Sequence, residues 1–368
     1  MCKQEICVEC GCVLDKEIRR EFNEALYCSD CLERKTQVCS HCGERVFRNQ
    51  TLQDGRRIIC EDCYDDYYIT CRDCGRIILQ EHAFYENDED DDAYCTDCYN
   101  RRQNAPIKEY AYKPEPIFYG SGPLFMGVEI ECDLGGEDEE SARELLDIAN
   151  RKNEHLYIKH DGSLREGFEL VSHPQSLAYH SEKMPWQEIF GKAIQLGYRS
   201  HQTTTCGLHV HVNRDAFGDT PQAQENGISR LVYLVERHWS ELLKFSRRTE
   251  ESIKRWANRY GIRTTTKETY DAAKCNRSRY CAVNLEPRDS FEIRIFRGTL
   301  NYKTFISTLQ MVEELCHLAM YFDDATVEKM SWLDIVMRID KTKKPELVEY
   351  LQSKQLYGNE QIPEREEV

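Results

Sequence analysis

The sequence predicts a chain of two unlike parts: a small cysteine-rich repeat module over residues 1–100, and an α+β domain built on an antiparallel sheet over residues 124–345. Three observations carry this. Six Cys-x-x-Cys pairs fall in register within the first 98 residues. After residue 124, strand-like runs mix with long amphipathic segments, without regular βαβ alternation or a Gly-rich phosphate loop. Along several of the strand-like runs, charged residues alternate strictly with apolar ones. With 40% apolar residues in 368, the second part has material for a full core. Residues 101–123, punctuated by Pro106, Pro114, Pro116, Gly120, Gly122 and Pro123, read as an extended connector, and 346–368 as a C-terminal helix and acidic tail.

Charge and composition narrow the function. A formal net charge of -16 repels a phosphate backbone at long range, so nucleic acid is not the expected partner. No apolar run approaches the roughly 18 residues a membrane span needs, and Met1-Cys2-Lys3-Gln4-Glu5 opens nothing like a signal peptide, so the expectation is a cytoplasmic protein without a membrane partner. In that setting 19 cysteines argue for reduced thiolates on metal rather than disulfides.

The pairs are Cys7/Cys10, Cys28/Cys31, Cys39/Cys42, Cys60/Cys63, Cys71/Cys74 and Cys95/Cys98. The alternate pairs starting at Cys7, Cys39 and Cys71 are spaced by 32 residues, and each is followed by glycine, at Gly11, Gly43 and Gly75. A positive φ there would let backbone amides point at the thiolates. Within a unit, 17, 17 and 20 residues separate the two pairs, enough for short hairpins to bring four sulfurs around one tetrahedral zinc. Three structural zinc sites are therefore expected. The aromatic and β-branched residues between pairs are too few for an independent core, so metal should hold each unit folded. Residues 1–100 carry 12 Lys+Arg against 23 Asp+Glu, which again disfavours nucleic acid. The pattern resembles LIM-type and treble-clef zinc ribbons, which mostly bind proteins, without the histidine of the first LIM site. Cys2 and Cys12 lie outside the register, and the acidic run Glu86 to Asp92 reads as a solvated loop.

In the second part, helices are expected at 138–152, 181–196, 228–248, 302–321 and 344–353, and strands at 125–133, 155–160, 167–172, 207–213, 279–285 and 291–297. The unusual residues sit on the strands. Period-two alternation puts Glu129 and Glu131 on one face of the first, about 7 Å apart. His209 and His211 share a face of the fourth, and Glu292 and Arg294 a face of the last. Asp161 precedes a turn that returns to Glu169. Any one of these could be a solvated strand face. Several converging on one sheet would be costly unless a cation and an anionic ligand compensated them, which suits hard divalent ions with a phosphate chain.

The motifs GVEIE (127–131), DGSL (161–164), FELVSHP (168–174), CGLHVHV (206–212), RYCAVNL (279–285) and FEIRIFRGTL (291–300) occur in that order. Together they resemble the amidoligase family, relatives of glutamine synthetase and glutamate-cysteine ligase, over roughly residues 124–320. The resemblance implies a glutamine synthetase-like curved antiparallel sheet holding ATP and two or three magnesium ions. It places Glu129, His209 and Glu292 around one ion and Glu131 and Glu169 around another, with Asp161 assisting. Arg294 and Arg297 suit the nucleotide phosphates and an acyl-phosphate intermediate, Arg279 and Asn284 line the same cleft, and His211 orients His209 or touches substrate. The implied reaction joins a carboxylate donor to an amine donor in an amide bond; a peptide or protein substrate is a hypothesis motivated by the zinc module, which could equally serve a partner protein.

Bland roles suit the remaining candidates. Trp186, Trp239, Trp256 and Trp332 read as packing residues; Cys132, Cys281 and Cys316 as buried small hydrophobes; His155, His160, His173, His180, His201, His238 and His317 as structural or surface histidines. The basic residues Lys244, Arg247, Arg248, Lys254, Arg255, Arg259 and Arg263 read as a solvated face that could receive an acidic substrate. Two rival functions remain: a binuclear metal hydrolase, which would need more histidines in ligand spacing, and a zinc-dependent adaptor with an inactive ligase-like domain.

Overall fold

The 32-residue period of the cysteine pairs is also the period of the backbone. The computed structural model describes residues 5–85, 92–276 and 278–358, and the chain divides into two compact units, Met1–Ala105 and Pro106–Val368. Cys2, the run from Glu86 to Asp91 and the acidic tail from residue 359 lie outside the described residues.

In the first unit, a bridge pairs Ile6 with Val13, Thr36–Val38 pairs with Arg45–Phe47, and Tyr68–Thr70 pairs with Ile77–Leu79. A second pairing follows each: Arg19–Phe22 with Ala25–Cys28, Thr51–Gln53 with Ile58–Cys60, and a bridge of Phe84 to Tyr94. Every repeat then ends in a short helix, Ser29–Lys35, Glu61–Tyr67 or Thr96–Gln103, whose N-cap is the third cysteine of its set. Gly11, Gly43 and Gly75 do hold positive φ (74°, 75° and 68°). Their N–H groups donate to the carbonyls of Cys7, Cys39 and Cys71, not to the thiolates, closing the turn by hydrogen bonds of 2.9–3.0 Å. Adjacent repeats are joined by Asp54, which accepts from the backbone N–H of Ile77 at 2.8 Å as well as from Arg56 and Arg57.

The second unit is built on one seven-stranded sheet. Its strands are β1 (Ile107–Lys108), β2 (Met126–Cys132), β3 (Leu156–Lys159), β4 (Phe168–Ser172), β5 (Gly207–Asn213), β6 (Val283–Asn284) and β7 (Ser290–Arg297). Across the sheet the order is β6-β7-β5-β2-β4-β3-β1, antiparallel at every pairing except β3 with β1, which is parallel. That edge strand departs from the all-antiparallel expectation. It arises because part of the Pro/Gly-rich connector lies down on the sheet: Ile107 and Lys108 pair with Ile158 and Lys159, and Tyr119 donates its N–H to the Pro174 carbonyl.

One face of the sheet is the core face. Val128, Ile130 and Cys132 of β2, Leu208, Val210 and Val212 of β5 and Ile293 of β7 are all buried there, with helices supplying the opposing layer. The central helix, Tyr302–Tyr321, brings Phe305, Leu309, Met311 and Val312; Phe305 packs on Trp186 at 4.8 Å between ring centroids. The expected helix over 181–196 is two, Leu177–Glu182 and Trp186–Gln195, interrupted at Pro185, which cannot continue an upstream turn. The one expected over 228–248 is likewise two, Pro221–Arg237 and Trp239–Ser246. Its start is set by Thr220, whose side chain accepts from the Ala223 N–H, and its break by His238 at ψ 35°. Helices Glu250–Trp256 and Thr266–Cys275 have too weak an apolar period to be foreseen; their Thr249 and Thr265 caps are the signal that marks them.

Candidate metal centres and the carboxylate face

Three four-cysteine sets close in the first unit: Cys7, Cys10, Cys28 and Cys31; Cys39, Cys42, Cys60 and Cys63; Cys71, Cys74, Cys95 and Cys98. A tetrahedral zinc with bonds of about 2.3 Å sets sulfur separations of about 3.8 Å. The Sγ pairs Cys10–Cys28, Cys42–Cys60 and Cys74–Cys95 lie 3.8, 3.9 and 3.8 Å apart, so the sets fit structural zinc. Charge is offset locally. Backbone N–H groups of Cys60 and Cys95 donate to the Sγ of Cys39 and Cys71, and guanidinium groups of Arg34, Arg76 and Arg101 donate to Cys31, Cys74 and Cys98 at 3.0–3.2 Å. Each helix N-terminus adds its positive dipole end to the site.

On the sheet, the face opposite the core carries the charges. Strand alternation fixes this: with Val128, Ile130 and Cys132 turned inward, Glu129 and Glu131 must turn outward, and likewise His209 and His211 opposite Leu208, Val210 and Val212. Register then aligns the elements. Glu129 pairs with His209, Glu131 with Glu169, Lys159 with Glu169, His211 with Glu292, and Asn284 with Glu292. A register shift between Leu208 and Val210 leaves two β7 residues, Arg294 and Ile295, opposite His209 alone. The bulge has a consequence for alternation. Arg297 is odd-numbered and would otherwise share a face with Ile293, but the extra residue makes it the partner of Gly207, on the same face as Glu292 and Arg294.

His209 is the hub. Its Nδ1 lies 3.3 Å from Glu129 Oε2 and 3.4 Å from Glu292 Oε1, and its Nε2 lies 3.8 Å from Glu131 Oε1. His211 Nε2 is 3.2 Å from Glu129 Oε1, while its Nδ1 is 3.3 Å from the Ser290 hydroxyl. Glu292 also accepts from Asn284 Nδ2 at 2.9 Å and from Arg294, and Glu131 accepts from the Gly207 N–H. Two of the resulting groupings, Glu129/Glu169/His209 and Glu129/His211/Glu292, bring their ligand atoms within 4.8 Å of one another.

Protonation reflects the crowding. Burial opposes ionisation of Glu129, but His211 and His209 beside it outweigh burial and hold its carboxyl well below the usual range. Burial pushes the Glu169 carboxyl well above its usual range, with Glu129 and Glu131 adding repulsion, and pushes Glu131 up as well. Among the described residues neither Glu131 nor Glu169 has a lysine or arginine nitrogen within 4 Å. Buried carboxylates short of cationic partners, next to imidazole nitrogens, are a donor set that fits a hard divalent ion.

The other anticipated residues are placed less centrally. Asp161 stands at the margin, its carboxylate turned to the Ser163 N–H at 2.6 Å, though its charge still bears on Glu131 and Glu169. Arg279 is exposed and donates to the hydroxyls of Tyr110 and Tyr280, at 2.7 and 3.0 Å. Asn284 is spent on Glu292 and on the Glu286 N–H. Three further residues belong to this face: Lys159, which the sequence reading did not single out, and Arg247 and Arg248, which it read as part of a solvated basic face. Lys159 is buried opposite Glu169, its Nζ 5.4 Å from the centre of the Tyr110 ring. Arg248 is buried and Arg247 half-buried, whereas Lys244, Lys254, Arg255, Arg259 and Arg263 are exposed as expected of a solvated face. Arg247 and Arg248 depart from the solvated-face expectation because they pack on the end of β7, bonding the Arg297 and Phe296 carbonyls.

Residues 145–316 match the family model described as "Putative amidoligase enzyme". The matched segment includes Asp161, Glu169, His209, His211, Arg279, Asn284, Glu292, Arg294 and Arg297; Glu129 and Glu131 precede it and are tied to it by the pairing of β2 with β4 and β5. No curated protein matches the chain.

Proposed function

From the amidoligase-family match over residues 145–316, we propose that the second unit is an ATP- and magnesium-dependent carboxylate-amine ligase on a glutamine synthetase-like sheet, and that the zinc module binds its substrate or a protein partner. One observation carries the reading: five residues from four adjacent strands, Glu129, Glu131, Glu169, His209 and Glu292, meet on a single sheet face beside Arg294.

Glu129, His209 and Glu292 would hold one divalent ion, and Glu131 and Glu169, assisted by Asp161, another. Bound there, magnesium supplies charge neutralisation to the phosphates of ATP. Arg294 and Arg297 lie at the β7 side, where guanidinium groups can take the γ-phosphate oxygens. Attack of a substrate carboxylate oxygen on the γ-phosphorus releases ADP and forms an acyl phosphate; an amine then attacks the acyl carbon and expels phosphate, leaving an amide. His211, next to Glu129 and less buried than His209, would orient its neighbour His209 or touch substrate. Arg279 and Asn284 complete the rim, the latter by fixing the Glu292 carboxylate.

The test is magnesium-dependent phosphate release from ATP against pools of carboxylate and amine donors, with Glu129→Ala and Glu292→Ala as controls. Donor-stimulated release that falls at least 100-fold in both variants supports the ligase. Turnover without ATP would point instead to a hydrolase, and folded protein without turnover to an adaptor.

A further inference from the structure

Among the described residues, Arg247, Arg248 and Arg297 have no carboxylate within 4 Å, whereas Arg294 beside them is paired to Glu292. Their donors end on neutral acceptors. Arg247 bonds the Arg297 and Gly298 carbonyls and lies 3.4 Å from His201 Nδ1; Arg248 bonds the Phe296 carbonyl at 3.2 Å and the Ser252 hydroxyl at 3.0 Å; Arg297 bonds the Thr203 carbonyl at 3.3 Å. Hydrogen bonds to carbonyls satisfy N–H groups but leave net charge in place, and buried like charges repel.

Further features shape the cluster. Gly207 leaves room for the Arg248 guanidinium where it now lies: a Cβ there would stand 2.5 Å from Arg248 Nη2. Arg247 keeps a left-handed backbone, φ 64°, which side-chain-bearing residues seldom adopt, and so brings its guanidinium to the end of β7. The Ser200 hydroxyl, against Gly298, is buried without a hydrogen-bond partner. The Glu131 carboxylate bears on Arg248 electrostatically without pairing to it.

We propose that Arg247, Arg248 and Arg297 form an oxyanion pocket at the β7 end of the carboxylate face, taking a doubly charged phosphate or the second carboxylate of an acidic donor. The site is defined by the cluster and does not require the ligase reading, which assigned only Arg297 among these three.

Calorimetric titration of the full-length, zinc-loaded chain at fixed ionic strength tests it, with inorganic phosphate and glutarate as separate probes and magnesium omitted. The expected result is saturable binding of at least one probe, weakened tenfold or more in both Arg248→Gln and Arg297→Gln. Tight phosphate with weak glutarate assigns the pocket to a phosphate group, and the reverse to an acidic donor. Because Arg248→Gln removes two internal hydrogen bonds and could fail to fold, Arg297→Gln, on the more exposed residue, decides alone if melting temperature or zinc content shows that failure. Absence of saturable binding by the parent chain, or binding equal in parent and folded variants, overturns the pocket. Phosphate or glutarate binding in a chain that never turns over ATP would keep the pocket and remove the ligase.

Discussion

Gly207 shows how much of the site depends on one missing side chain. A Cβ at this position would lie 2.5 Å from Arg248 Nη2 and 2.6 Å from His209 Nε2, so Gly207→Ala must displace the imidazole from its present contacts with Glu129, Glu131 and Glu292. Both displaced groups are side-chain ends, so the fold should tolerate the change within about 1 kcal/mol while divalent-ion affinity drops at least tenfold. Calorimetry with manganese and a denaturant melt would show it; unchanged manganese affinity would refute the role given to His209. Single residues were only partly legible beforehand. Glu129, Glu131, His209 and Glu292 stood out because charge on alternating strand positions is expensive unless used. Lys159, Arg247 and Arg248 did not, because burial of a basic residue is decided by what packs over it, and a basic helix end reads the same whether it faces water or a sheet.

At the scale of elements, alternation gave the strands and their faces, but the bulge in β7 that returns Arg297 to the carboxylate face has no signature in residue spacing. Helix breaks at Pro185 and His238 were hidden for different reasons: the proline was visible but overruled by an apolar run, whereas histidine is not a helix-breaking residue type and gives no signal of its own. The packing of helix Leu177–Glu182 on β2 carries its own prediction. His180 is wholly buried, donating from Nε2 to the Met126 carbonyl at 2.9 Å and accepting at Nδ1 from Trp186 at 3.3 Å, and burial depresses its pKa to about 4. In the unfolded chain the imidazole titrates near 6.5. Between those values the unfolded state binds a proton that the folded state refuses, so stability is lost as pH falls from about 6.5 to about 4, at roughly 1.4 kcal/mol per pH unit. Urea unfolding at pH 7 and pH 5 should show a stability loss smaller by about 2 kcal/mol in His180→Gln than in the parent. Parallel slopes in the two proteins would mean that His180 is not kept neutral by the fold.

For the whole molecule, the division after Ala105 separates two sources of stability. The second unit has an extensive buried core, while the first has small clusters centred on cysteines, such as Cys39, Ile59, Cys60, Cys63, Tyr68 and Ile77. Chelation at neutral pH should therefore release three zinc ions per chain and unfold only the repeats, leaving the thermal transition of the second unit in place. Stoichiometry by atomic emission and calorimetric scans before and after chelation check this; a single transition abolished by chelation would contradict it. The central claim concerns the carboxylate face, and equilibrium binding of magnesium with a non-hydrolysable ATP analogue to the zinc-loaded chain tests it most directly. The account predicts saturable, magnesium-dependent binding in the parent protein, weakened at least 100-fold, or about 2.7 kcal/mol, in Glu129→Ala and Glu292→Ala. A folded parent protein that binds no nucleotide with magnesium or manganese, or variants that bind as well as the parent, would contradict it.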